Sequence, residues 1–151
     1  MKRLFALAVA LSFVPASYAV DAVWSNSATS VQEWQTAGNW QDAETGEASA
    51  SAPITATDTA TFPHLDSTMR TVSLFPKKTN VSWALGSLSG GKYWKLQLTE
   101  GNYDYGHYRR TVEIGDINSY TGSWSSVSAR QTLRLTAASG EQVFRKISPG
   151  Y

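Results

Sequence analysis

The chain has 151 residues, with 13 Lys and Arg against 12 Asp and Glu, six Trp, seven Tyr and no Cys. Without cysteine it makes neither disulfides nor thiolate metal sites, and a net charge of +1 lacks the strongly basic balance of a nucleic-acid binder. The length suits one domain with a sizeable core.

Residues 1–19, MKRLFALAVALSFVPASYA, place Lys2 and Arg3 before an apolar run from Leu4 to Val14 and end on small residues at Ser17 and Ala19. That layout predicts a secretory signal peptide cut after Ala19. The apolar run is shorter than the ~20 residues that a membrane span requires. The mature chain then opens at Val20, and its charge is unevenly spread. Val20–Asp66 holds seven acidic residues and no Lys or Arg; Ser67–Tyr151 holds eleven basic and five acidic. We therefore divide the chain into a signal peptide (1–19), an acidic Trp-rich segment (20–66) and a basic remainder (67–151).

No segment of the mature part has a helical period. Thr, Ser, Val, Trp and Tyr dominate, punctuated by Gly, Asn and Pro, which predicts short strands. In order these are Ala22–Ser25, Thr57–Phe62, Thr71–Phe75, Val81–Leu88, Trp94–Thr99, Arg110–Ile114, Thr132–Thr136 and Gln142–Ile147, with the ASASA stretch Ala48–Ala52 as a loop. Alternation puts Val72 with Leu74, Leu96 with Leu98, Val112 with Ile114 and Leu133 with Leu135 on one face each. Such strands suit an antiparallel β-sandwich or a β-solenoid. Asn-Gly and Asp-Gly hairpin turns are absent, and from Thr71 onward the one-faced strands with polar turns fit stacked coils.

Two stretches carry a resemblance. The first, Val23 to Phe62, has a Trp-containing strand, a Trp-x-x-x-x-Asn-Trp segment (Trp34 to Trp40), a Pro-bearing loop and Asp-Thr-Ala-x-Phe (Asp58 to Phe62). It resembles the Trp-rich opening of many bacterial passenger proteins. The second is the closing VFRKISPGY, Val143 to Tyr151, in which Lys146, Pro149 and Gly150 match the turn of the autotransporter-associated β-strand repeat and Ser148 replaces its first Gly. YRRTVEIGDI, Tyr108 to Ile117, is similar to the coil that precedes that turn. The resemblance implies a right-handed parallel β-helix whose mouth is closed by an aromatic N-terminal cap, exported through the periplasm of a Gram-negative-type bacterium. It also implies a chain that breaks off inside a repeat, with any outer-membrane anchor in a missing C-terminal region. Trp24, Trp34, Trp40 and Phe62 are the residues expected to fill the cap, each burying on the order of 150–250 Å².

The search for chemistry gives little. His64 precedes Asp66 by two, and His107 lies near Asp104 and Glu113, yet no nucleophile elbow, His-x-x-x-His or phosphate loop accompanies them. Asp58, Asp66, Asp104 and Asp116 offer oxygen to Ca²⁺ but form no Asp-x-Asp-x-Asp run. Glu113 and Asp116 with Arg109 and Arg110 have the residue types of a polysaccharide lyase, without a complete groove. Asn80-Val81-Ser82 fits the glycosylation sequon behind a signal of bacterial type. The aromatic run KYWKLQLTEGNYDYGHY is richer. Trp94, Tyr103, Tyr105 and Tyr108, if exposed on one flank, would stack on sugar faces; stabilisation of coil edges is the structural alternative. The expectation is thus an all-β, non-enzymatic, secreted or surface-exposed structural protein without cofactor or metal, adhesin-like, with host or matrix glycans or proteins as partners and no nucleic acid. Its rivals are a carbohydrate-binding module and a fragment of a β-helical polysaccharide-degrading enzyme.

Overall fold

The computed structural model describes residues 18–75, 80–98, 109–125, 131–137 and 140–145. Its strands are β1 (Asp21–Trp24), β2 (Gln32–Glu33), β3 (Trp40–Asp42), β4 (Thr59–Phe62), β5 (Arg70–Ser73), β6 (Val81–Gly90), β7 (Trp94–Gln97), β8 (Arg110–Tyr120), β9 (Ser123–Trp124), β10 (Gln131–Ala137) and β11 (Gly140–Arg145). The helical element among the described residues is one 3-10 turn, Ala37–Asn39. The described residues form an all-β fold.

Two sheets form. The larger has the order β11-β10-β8-β6-β4-β1-β3 and the smaller β2-β5-β7-β9. From β4 to β10 the chain alternates between them, and each return lays the new strand parallel to the previous strand of that sheet. Ala60 thus sits beside Leu88, and Val72 beside Leu96. Thr61 and Ser89, 28 positions apart, meet through their hydroxyls at 2.8 Å. Antiparallel strand pairs occur at the two ends of the larger sheet, β1 with β3 and β10 with β11. The parallel interior does not match the up-and-down hairpins of an antiparallel sandwich. At the other end, β11 turns back on β10 instead of continuing forward, and residues 146–151, with the Ser-Pro-Gly turn, lie outside the described residues.

Alternation predicts the inward residues well. Val72, Leu74, Leu96, Leu98, Val112, Ile114, Leu133 and Leu135 are all buried, in one core that also contains Ala22, Trp24 and Ala60. The acidic and basic segments therefore share a single apolar interior. In register, Trp83, Val112 and Leu133 form one inward column, and Leu85, Ile114 and Leu135 the next.

Strand β6 breaks strict alternation: Leu85 and Leu88, three apart, are both buried. A period of two cannot place both inward on a regular strand, and the pairing with β8 shifts register around Leu88, between Ser87 and Ser89. Gly86 precedes that shift, between the regular pairs Leu85–Ile114 and Ser87–Asp116. A Cβ there would stand 2.7 Å from the Ala56 carbonyl oxygen and 3.0 Å from that of Asp58, while the Gly86 N–H donates to the Asp58 carbonyl at 2.9 Å. The two long strands carry their further partners on different halves. The far half of β6 carries β4, and the near half of β8 carries β10. At its end β6 closes on Gly90, whose φ of +72° suits glycine and whose close approach to the Phe62 carbonyl leaves no room for a side chain.

Candidate functional site

The first structure built by the sequence is an aromatic cluster. Trp24, Trp34, Trp40 and Phe62 are each at most 1% exposed. Their rings touch edge-on or tilted, with centroids 4.9 Å apart for Trp24 and Trp40, 4.7 Å for Trp34 and Trp40, and 5.4 Å for Trp24 and Phe62. Two rings that sequence reasoning leaves out of the cluster complete it. Trp83 stacks on Trp34 at 5.1 Å, and Trp94 lies 5.0 Å from Phe62.

Each of these indoles also holds a loop. Trp24 Nε1 donates to the Asn26 carbonyl at 2.6 Å, Trp34 to Pro53 at 2.9 Å and Trp40 to Trp34 at 2.7 Å. Trp83 donates to Leu74 at 3.3 Å and Trp94 to Pro63 at 2.8 Å. A buried indole needs such a partner, and a turn carbonyl needs a donor; here one contact meets both requirements. The Trp34-to-Trp40 segment closes on itself through this bond and through Asn39. Asn39 Nδ2 donates to the Glu33 carbonyl at 2.8 Å, and its Oδ1 accepts from Asn26 at 2.7 Å.

Two acidic groups tie the segment to the strands. Asp58, 2% exposed, accepts from the Val20 N–H at 2.9 Å through Oδ1, and from the Ile54 and Thr55 N–H groups at 2.8 Å each through Oδ2. Burial raises its pKa, but the donors around it outweigh that effect and hold it below the usual carboxylate value. Asp66 grips Arg70 with both oxygens, at 2.8 and 2.9 Å. That pairing, with the Thr68 N–H, holds Asp66 well below the usual range and raises Arg70. The Arg70 guanidinium also donates to the carbonyls of Ser27 and Thr68 at 3.1 Å each and lies 5.8 Å from the centre of the Trp94 ring. Arg70, one position before the predicted strand Thr71–Phe75, is thus buried against the aromatic cluster.

The sequence-predicted sugar site is corrected at Trp94. Its ring is 2% exposed and wedged against Trp24 and Phe62, so it has no face to offer a glycan. Alternation explains the change: Trp94 shares the inward side of β7 with Leu96. Tyr103, Tyr105 and Tyr108 lie outside the described residues, as do Asp104 and His107.

The remaining candidates are dispersed. His64 packs against Tyr93, centroids 5.7 Å apart, while its neighbour Asp66 is committed to Arg70. Asp116 accepts from the Asn118 N–H at 2.8 Å. Arg109 is exposed, whereas Arg110 is buried over the Phe75 ring at 5.7 Å, so the two arginines do not share a face. Glu113 stands 3.8 Å from Arg134 on the next strand, both side chains about half exposed. They border an open groove of about 280 Å³ beside Gly86 and Gly115, lined also by Ala56, Ala84 and Thr136. It brings one carboxylate and one guanidinium together, an arrangement suited to an ion pair and not to acid–base hydrolysis by two carboxylates. Among the described residues no three His, Asp or Glu converge as metal ligands. No family model, no curated protein and no solved structure matches the chain.

Proposed function

We propose that the chain is the structural opening of an exported, surface-exposed β-helical protein, an adhesin-like passenger whose aromatic cluster closes the mouth of a stack of parallel coils. The observation that carries this reading is the alternation of β4 to β10 between two sheets with every return parallel. That is how a coiled chain lays one rung on the last.

The aromatic cluster supports the same reading. A stack of rungs has an open edge that recruits other chains unless it is covered. Here β3 folds back antiparallel on β1, and the Trp34-to-Trp40 loop packs its rings beneath them. The predicted signal peptide supplies the route out of the cell, and the absence of cysteine suits passage of an unfolded chain. Glycans or proteins of a host or matrix are the proposed partners.

The test is surface exposure. Expressed from its own start in a Gram-negative host together with whatever coding sequence follows it, the protein should be labelled by antibody on intact cells and shaved by external protease. Retention inside the cell, protected until lysis, would overturn the reading.

A further inference from the structure

The geometry points to Val20 as a processed amino terminus that docks on Asp58 as a free ammonium. This rests on the export reading above and adds a role for the cut itself.

Asp58 is a buried carboxylate whose Oδ1 meets the Val20 nitrogen at 2.9 Å, while Oδ2 is occupied by two N–H groups of the loop before it. Immediately upstream the chain leaves the fold. Ala19 is exposed and Tyr18 is 86% exposed, so the Ala19–Val20 bond lies where a peptidase selective for small residues reaches it. Hydrolysis consumes one water: the C–N bond breaks, hydroxyl adds to the Ala19 carbonyl carbon to leave a carboxylate, and the Val20 nitrogen takes up protons as an ammonium. The nitrogen that now donates as a neutral amide would then donate as a cation at the same place. The bond already ends on an ionised carboxylate; a cationic donor adds the direct attraction of opposite charges, strongest where water is excluded.

The surroundings favour the cation. Asp21 is adjacent, and Asp42 pairs with Ala22 across β1 and β3. Strands β4 and β6, next in the sheet, carry no charged side chain, and no Lys or Arg occurs from Val20 to Asp66. Removal of the signal peptide would therefore tighten the first strand at the moment the protein is released.

The test begins with the full chain secreted from a Gram-negative host. Mass spectrometry of its amino terminus should read Val20; a chain left uncut overturns the export reading and the proposal with it, and a cut at another bond overturns the proposal alone. The chain beginning at Val20 is then compared with its Nα-acetyl form, which keeps the hydrogen bond and removes the charge. Acetylation should lower the folding equilibrium constant about tenfold, a fall in Tm of roughly 5 °C. An α-ammonium stabilised in the fold has its pKa raised above the ordinary 7.7–8.0. Its contribution is complete below pH ~7.7 and disappears as pH rises through the raised value. Equal stability of the two forms at pH 7, with the terminus correctly at Val20, overturns the docking and leaves export standing. In Asp58→Asn the effect of acetylation should vanish. If that variant does not fold, NMR titration of the Val20 amine in the unaltered chain decides: a raised pKa supports the pairing, and an ordinary one overturns it.

Discussion

Trp34 and Trp83 stack with centroids 5.1 Å apart and 25° between their planes, and this contact fastens the acidic opening segment to a long strand of the basic one. Trp34 is fully buried and Trp83 nearly so. Trp34→Ala should cost about 3–5 kcal/mol, the range for deleting a large core aromatic. The pair should show a coupling of about 0.5–1.5 kcal/mol in a double-mutant cycle with Trp83→Ala, read by denaturant unfolding. Additive effects would mean that the two segments are stabilised independently.

Gly86 and Gly38 should respond oppositely to the same methyl group. At Gly86 the added carbon meets backbone carbonyls at 2.7 and 3.0 Å, which cannot swing aside, whereas nothing lies within 4 Å at Gly38. Gly86→Ala should destabilise by about 1–3 kcal/mol. Gly38→Ala should be neutral or stabilise by up to about 1 kcal/mol through the unfolded chain. Thermal melts of the two variants give the comparison.

Acid should loosen the opening segment first. Asp58 and Asp66 have folded pKa values below their unfolded ones, so their contribution is complete above pH ~4 and is lost as pH falls through the lower folded values. Asp58→Asn replaces an acceptor of three backbone N–H bonds by an amide and should cost about 2–3 kcal/mol at pH 7. It should also flatten the acid limb of stability against pH. Asp66→Asn should flatten it less, because that carboxylate is half exposed. The measurement is urea unfolding at intervals from pH 2 to 7.

The sequence makes the inward faces legible wherever alternation is unbroken, as at Val72, Leu96, Val112 and Leu133, and it makes the four cluster aromatics legible because they are the large apolar groups of a polar stretch. It obscures what depends on long-range geometry. Strands β2, β3 and β9 have two or three residues each, too few for a period to register, and exist because a neighbouring strand receives them. Alternation predicts an end to β8 at Ile114, yet the strand continues to Tyr120: Gly115, which reads as a stop, lies inside the strand close against the Gly86 carbonyl. The burial of Arg70 and Arg110 has no signal in the sequence, since charge alone marks a side chain for solvent; Asp66, turn carbonyls and aromatic rings make it tolerable. Trp94 misleads for the converse reason. Composition marks an aromatic for sugar binding, whereas the alternation that Leu96 and Leu98 set, carried two positions back, puts Trp94 on the inward side of β7.

The parallel return of the chain is the claim on which the functional reading depends, and the lack of native cysteine allows it to be tested by cross-linking. Thr61→Cys with Ser89→Cys joins β4 to β6 at side chains already in contact, and Lys95→Cys with Ser123→Cys joins β7 to β9 at residues in register; adjacent strands bring Cα atoms within disulfide reach. Both pairs should oxidise rapidly in the folded chain. Thr61→Cys combined with Val81→Cys, at the opposite end of β6, should give no bond. Rapid closure of the Thr61–Val81 pair with failure of Thr61–Ser89 would mean that β6 runs antiparallel to β4, and would contradict the account.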